Sequence, residues 1–278
     1  MSPGSARLYA ATAARVLRQR RLHGLRERLR TGEERLVFVV GSPRSGTTFL
    51  AGTIGALPGF VDLSEVTPHK AAIAELTQLP PDEAARRIRA VLERVRRLAL
   101  VPGLRGVEQT PETAFVLAEA LRAYPQASAV HVVRDGRDVV CSLLERAWLS
   151  TGRSGVDDAR LEYGAGARFW VEPDRVAEFE AASDATRAAW AWRSYLEAAR
   201  TGGGTRTFEL RYESIAANAE AAAGALAEHL GVDREPLVRG LQRFHDRSIG
   251  RFRRDLTPEQ LADVEREAGD LLAALGYV

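Results

Sequence analysis

Between Gly41 and Thr48 the chain reads Gly-Ser-Pro-Arg-Ser-Gly-Thr-Thr, directly after the apolar run Leu36-Val37-Phe38-Val39-Val40. Gly41 and Gly46 permit a tight backbone path. A buried strand, such a loop and a helix opening on Thr47 and Thr48 would aim backbone N–H groups at an anion. A nucleotide-hydrolysing loop has the pattern G-x-x-x-x-G-K-[ST], but threonine stands where its lysine belongs and the cation has moved to Arg44. Neither later strand ends in a magnesium-binding pattern, since the second runs into Arg134 before Asp135. These residues describe a phosphate cradle that works without a metal, and no metal site is expected. The glycines alone fit a plain strand-to-helix turn equally well; Arg44 and the two threonines weigh against that.

A second cationic patch follows the apolar run Ala129-Val130-His131-Val132-Val133. It reads Arg134-Asp135-Gly136-Arg137-Asp138, with Ser142 and Arg146 sharing a helix face at i, i+4 spacing. Asp135 suits a helix cap, and Arg137 is expected to cap its own surface. Taken alone, R-D-x-R-D is commonly a salt-bridged helix start. Two arginine-bearing patches fit a ligand with two separate anionic groups, because arginine makes charge-assisted bonds to such groups. A simple nucleoside triphosphate needs only the first.

Residues 38 to 50, Phe-Val-Val-Gly-Ser-Pro-Arg-Ser-Gly-Thr-Thr-Phe-Leu, closely resemble the 5′-phosphosulfate loop of sulfotransferases that use 3′-phosphoadenosine 5′-phosphosulfate (PAPS). The P-R-S-G-T-T form is similar to the tyrosylprotein and bacterial carbohydrate-type branches. The resemblance implies that Arg44, Ser45, Gly46, Thr47 and Thr48 hold the 5′ end of the donor. It implies Arg134 and Ser142, with Arg146 as a third, at the 3′-phosphate, and the desulfated nucleotide (PAP) as product. Leu210-Arg211-Tyr212-Glu213 resembles the family's segment that brings a tyrosine to the nucleotide, although Tyr212 read alone is equally a core-edge aromatic. Ser248-Ile249-Gly250-Arg251-Phe252-Arg253-Arg254 resembles the late loop that closes over the nucleotide, with Ser248, Arg251 and Arg253 as candidates; read alone, each is a solvated side chain. The resemblance runs from about Leu36 to the C-terminus and is weakest across 149 to 183.

Sulfuryl transfer to an alcohol needs an in-line donor, a base for the hydroxyl proton and cations where charge builds on the leaving phosphate. Glu65, 21 residues after Arg44, matches where tyrosylprotein-type relatives place their catalytic glutamate. A free carboxylate titrates at about 4.3, so this role calls for burial. His69 is the rival base, and a surface carboxylate is the plainer reading of Glu65. His131, inside an apolar strand, reads as a core histidine. One departure from the family stands in Glu108-Gln109-Thr110-Pro111: many relatives carry a lysine where this chain has Gln109, so Arg44 is left with more of the electrostatic load. A P-loop nucleotide kinase and a non-catalytic nucleotide-binding homologue are the alternatives.

These residues must be positioned by strands at 36 to 40, 129 to 133 and 207 to 210. Helices are expected at 47 to 57, 69 to 77, 82 to 99, 111 to 123, 136 to 148, 184 to 200, 214 to 230 and 257 to 275. The alternation predicts an α/β, P-loop-like three-layer fold with a central parallel sheet flanked by helices. Residues 35–278 are expected to form one domain, with two small domains as the alternative. Residues 1–34 are read as an N-terminal basic helical extension, its helix at 7 to 30 packing on the surface or meeting a membrane or partner. Residues 149 to 183 read as a loop-rich insertion on the acceptor side. A net charge of +2 over 278 residues gives no global field for nucleic acid. Cys141 is the only cysteine, which excludes an intramolecular disulfide. No signal peptide or membrane span is evident, so the chain is expected to be soluble and cytoplasmic. The expected acceptor is a small-molecule or carbohydrate-like hydroxyl, with Tyr163, Phe169, Trp170 and Phe179 or Arg153, Arg160 and Arg168 as its candidate contacts; core packing explains those aromatics equally well. Lys70 is the only lysine among 39 basic residues, an arginine bias given no functional weight.

Overall fold

The computed structural model describes residues 3–20, 35–101, 103–146, 148–150, 155–156, 162–163 and 168–278. The chain enters through α1 (Pro3–Arg20), β1 (Leu36–Val40), α2 (Thr47–Gly55), β2 (Phe60–Ser64), α3 (Thr67–Lys70), α4 (Ile73–Leu76), α5 (Pro81–Leu98) and β3 (Arg105–Glu108). A 3-10 turn at Pro111–Val116 leads into α6 (Leu117–Ala123), β4 (Ser128–Val133) and α7 (Gly136–Arg146). After β5 (Gly155–Val156) and β6 (Glu162–Tyr163) come α8 (Val176–Ala181), α9 (Asp184–Gly203) and β7 (Thr207–Arg211). The chain closes with α10 (Tyr212–Ala217), α11 (Ala219–Leu230), α12 (Arg234–Leu241), α13 (Phe252–Asp255) and α14 (Pro258–Ala274).

Five strands form one sheet in the order β2-β3-β1-β4-β7, and every neighbouring pair is parallel. β1 is central, and all five of its side chains are buried. That is why its sequence is continuously apolar; each such side chain contributes about 1.5–3 kcal/mol by leaving water. Leu36, Phe38 and Val40 face a layer built with Ile88 and Leu92 of α5 and Tyr195 of α9. Val37 and Val39 face the other way, toward Leu50 and Ile54 of α2 and Leu226 of α11. The chain is thus a mixed α/β fold with helices on both faces. From β1 it turns to β3 and β2 on one side and then to β4 and β7 on the other, so the order reverses between β1 and β4. In open parallel sheets ligands bind at such a reversal, beyond the carboxyl ends of the strands. Gly41 and Arg134 stand at those two ends.

Two strands lie outside the sequence expectation. β2 (Phe-Val-Asp-Leu-Ser) is interrupted by Asp62, and β3 has four residues, of which Gly106 makes room for Leu36 and Leu63. The expected helix at 69 to 77 is two short ones, and that at 111 to 123 begins as a 3-10 turn. The expected 214 to 230 helix divides at Asn218, whose Oδ1 accepts from Ala221 N at 2.9 Å and caps α11. α9 continues through Gly202 to Gly203, three residues past the end expected at 200. α1 seats Ala13 and Val16 in the same core cluster as Leu36 and Ile88; the rest of the expected 7 to 30 helix lies outside the described residues. In the 149 to 183 stretch, Phe179 is buried against Val171 and Trp190 while Phe169 is exposed. Arg153, Arg160 and the Tyr163 side chain lie outside the described residues. No described helix is long and apolar enough to cross a membrane.

Candidate functional site

The loop after β1 needs its glycines for identifiable reasons. At Gly41 a Cβ would come within 2.6 Å of the Val132 carbonyl oxygen, and at Gly46 (φ 95°) within 2.7 Å of the Tyr212 ring. Arg44 itself holds a left-handed backbone (φ 73°), a conformation that costs a non-glycine residue on the order of 1–3 kcal/mol and persists where surroundings enforce it. Here Arg134 enforces it, its Nη1 donating to the Arg44 carbonyl at 2.9 Å.

Around that contact the structure gathers most of the expected nucleotide residues. Arg134 Nη2 donates to the Ser248 carbonyl at 2.7 Å, and its guanidinium lies 4.5 Å over the Tyr212 ring. The Tyr212 hydroxyl is 3.1 Å from Ser248 Oγ, and Arg44 Nε donates to Ser142 Oγ at 3.0 Å. The two anion patches therefore touch. Two buried polar atoms among them, Ser45 Oγ and Arg134 Nε, have no hydrogen-bond partner. Buried donors left so are costly unless a ligand satisfies them.

Three expected residues are turned to other contacts. Arg251 pairs with Asp255 at 2.7 Å and with Glu145, Arg253 is exposed and lies 4.7 Å over the Phe252 ring, and exposed Arg146 lies 5.7 Å from the Trp148 ring. Asp135 Oδ1 does accept from the backbone N–H of Arg137 at 3.0 Å. Arg137, however, does not cap a surface: it is buried, forked onto Asp135, bonded to the Tyr277 carbonyl and 4.0 Å over Phe252. Sequence reasoning missed Asp138, which is fully buried and accepts from Gly250 N at 2.7 Å and Phe252 N at 3.1 Å. It ties the late loop that carries Ser248 to α7.

Beside the cradle lies a cavity of about 120 Å³. It is lined by Arg44, Thr47 and Thr48 of the loop, by Glu65, Lys70 and Glu112, and by the aromatic side chains of Trp148, Phe169, Trp170 and Tyr195. Glu65 Oε2 accepts from Lys70 Nζ at 2.8 Å, and its backbone carbonyl accepts from Arg15 of α1. Gln109 is buried, its Oε1 accepting from Thr48 Oγ1 at 3.3 Å, so it buttresses the cradle. His69 is fully buried, and desolvation pushes it down to about 4. It faces Thr113 at 3.0 Å and does not line the cavity. His131 is a core histidine, with Nδ1 3.5 Å from Glu209.

Glu108 accepts from Thr110 N and Thr113 Oγ1, both at 2.9 Å. Burial nevertheless pushes its carboxyl up to about 7. A raised acid binds its proton more tightly folded than unfolded, so its contribution to stability is present below about pH 4.5 and lost as pH rises through 7. Glu108→Gln is therefore expected to remove on the order of 3 kcal/mol of pH-dependent destabilisation across that window, read as a flatter profile of unfolding free energy against pH. An unchanged profile would place the titrating group elsewhere.

The model of the sulfotransferase family matches residues 37–236, well over half of the chain. The chain belongs to the sulfotransferase family. No curated protein matches it. Among solved structures, this sulfotransferase is similar to the sulfotransferase domain from the curacin biosynthetic pathway, with 14% identity, a TM-score of 0.54, and 86% of this chain and 98% of that one covered. It is also similar to mouse sulfotransferase SULT7A1 complexed with PAP, with 13% identity, a TM-score of 0.52, and coverage of 89% and 88%. Sulfotransferase STF9 from Mycobacterium avium matches at 15% identity and a TM-score of 0.50, with coverage of 98% and 86%. At these identities the likeness is one of fold. In this chain the β1–α2 loop lines the same cavity as the carboxylates of Glu65 and Glu112.

Proposed function

We propose that this sulfotransferase moves a sulfuryl group from PAPS to the hydroxyl of a small-molecule or carbohydrate-like acceptor, with Glu65 as general base and Arg44 as the cation at the transfer centre. The observation that carries this reading is that Glu65 lines the same cavity as Arg44, Thr47 and Thr48. The unpartnered Ser45 Oγ and Arg134 Nε, one in each anion patch, fit a donor with an anionic group at either end of its ribose. That a neighbour of the same fold was solved with PAP supports the same donor.

The donor is a substrate and supplies the sulfuryl group. The loop backbone, Ser45, Thr47 and Thr48 bind its 5′ end, while Arg134 and Ser142 bind the 3′-phosphate and Tyr212 and Ser248 close the nucleotide side. Glu65 accepts the acceptor's hydroxyl proton as the new oxygen–sulfur bond forms and the bond to the 5′-phosphate oxygen breaks. Arg44 then faces the charge left on that phosphate, in the place where preorganised cations contribute most. A kinase reading gains no support, because the carboxylate after β4, Asp135, is held by the Arg137 fork.

The test is equilibrium binding of PAP against its analogue without the 3′-phosphate. Charge-assisted bonds from the second patch are expected to favour PAP by roughly 10- to 100-fold. Equal affinities would remove the two-patch reading.

A further inference from the structure

The chain's only lysine sits where a single ammonium meets two carboxylates. Lys70 Nζ lies 2.8 Å from Glu65 Oε2 and 3.5 Å from Glu112 Oε1, with Lys70 9% exposed and each glutamate side chain 17% exposed. The local fold fixes this meeting. Ser64 takes a left-handed backbone (φ 53°) as its N–H turns onto Asp62 Oδ1 at 2.6 Å, which redirects the chain at Glu65. The next turn closes through His69 N and Lys70 N, both bonded to the Val66 carbonyl at 2.8 and 2.9 Å. Val66 N in turn donates to Thr110 Oγ1 at 3.2 Å, which brings in the segment carrying Glu112. Three charged side chains from two stretches far apart in sequence are thereby set around one cavity.

We propose that Lys70 is a positioning residue for transfer: clamped between Glu65 and Glu112, it keeps the Glu65 carboxylate ionised and oriented into the cavity. This rests on Glu65 being the base. The chemistry asks for lysine at this point. A compact ammonium has three protons that serve carboxylates on different sides, whereas the planar guanidinium fork prefers to hold one carboxylate bidentately. The other 38 of the chain's 39 lysine and arginine residues are arginine. Glu112 shares the ammonium and so moderates its pull on Glu65; without Glu112 the whole charge would fall on the base.

Other charged groups face this row. Arg15 of α1 meets Glu65 and Asp62, Arg44 and Arg168 line the same cavity, and Tyr195 of α9 lies against Glu112 and Glu65. All of them stay in place in the variants below, so a difference between variants reports on Lys70 and Glu112.

The experiment is a carboxyl-carbon NMR titration of full-length protein labelled at glutamate, with the Glu65 signal assigned by its loss in Glu65→Gln. In Lys70→Met the Glu65 midpoint is expected to rise by about one pH unit, since a lost ammonium no longer favours the charged form and Glu112 now repels it. In Glu112→Gln it is expected to fall, and Lys70→Arg, which keeps the charge but not the two-sided geometry, should hold it below the Lys70→Met midpoint. Opposite shifts in the two variants are not produced by general loosening, and far-ultraviolet circular dichroism checks folding. Unmoved midpoints, or shifts of the same sign in Lys70→Met and Glu112→Gln, would overturn the proposal. Full turnover in Glu65→Gln would instead overturn the base assignment, so the two failures are told apart.

Discussion

Arg134→Ala is expected to weaken PAP binding by roughly 10- to 100-fold while leaving the analogue without a 3′-phosphate within a few-fold of wild type. The guanidinium's two terminal nitrogens already hold the Arg44 and Ser248 carbonyls, and Nε is the buried donor left for a ligand. Truncation also leaves those two carbonyls without their donors, at about 1–3 kcal/mol each where they stay buried. That cost lowers stability and acts on any ligand of the loop alike. The affinity ratio of the two nucleotides cancels it, which makes the ratio the quantity to measure by calorimetry. A ratio unchanged from wild type would move the 3′-phosphate away from Arg134. Arg134→Lys should fall between the two, retaining charge but losing the fork that spans both carbonyls.

Glu65→Gln is expected to spare donor binding and to lower kcat by roughly 10²- to 10⁴-fold, the range associated with a general base. The substitution keeps the side chain's shape and an oxygen able to accept from Lys70 Nζ, so the geometry at 2.8 Å has no steric reason to change. What is lost is proton affinity. Single-turnover kinetics with saturating donor would separate chemistry from release. Undiminished turnover would shift the role to Glu112, the other carboxylate on the described cavity wall.

How much of this was legible in the sequence depended on the range of the interactions. β1, the cradle and α2 were readable because the strand is buried on both faces and the loop's identity rests on adjacent residues. The Arg134 patch was readable for the same reason. β2 and β3 were not, since Asp62 and the Gly106-Glu108 stretch break the apolar pattern that marks an inner strand. The Asn218 break was hidden in a run rich in alanine, where helix propensity masks a cap.

At the site, residues joined through distant partners stayed out of sight. Asp138 carried no signal of its own within R-D-x-R-D; its bonds to Gly250 N and Phe252 N tie it to the late loop. Lys70 gave a compositional signal, a lone lysine among arginines, but Glu112 gives that signal meaning only once Val66 and Thr110 are bonded. His69 and Glu65 were both eligible by type, and burial separated them: one lies in the core and the other on the cavity wall. Gln109 marked a missing charge in the sequence, and its bond to Thr48 shows what stands there instead.

The most direct test of the central claim is incubation of the purified protein with sulfuryl-labelled PAPS and an extract of the source cells, with chelator present, followed by isolation of labelled products. The expected result is label in a sulfate ester, formed by wild type and nearly absent with Glu65→Gln. No label in any product of the wild type, together with magnesium-dependent ATP consumption in a parallel assay without chelator, would contradict it.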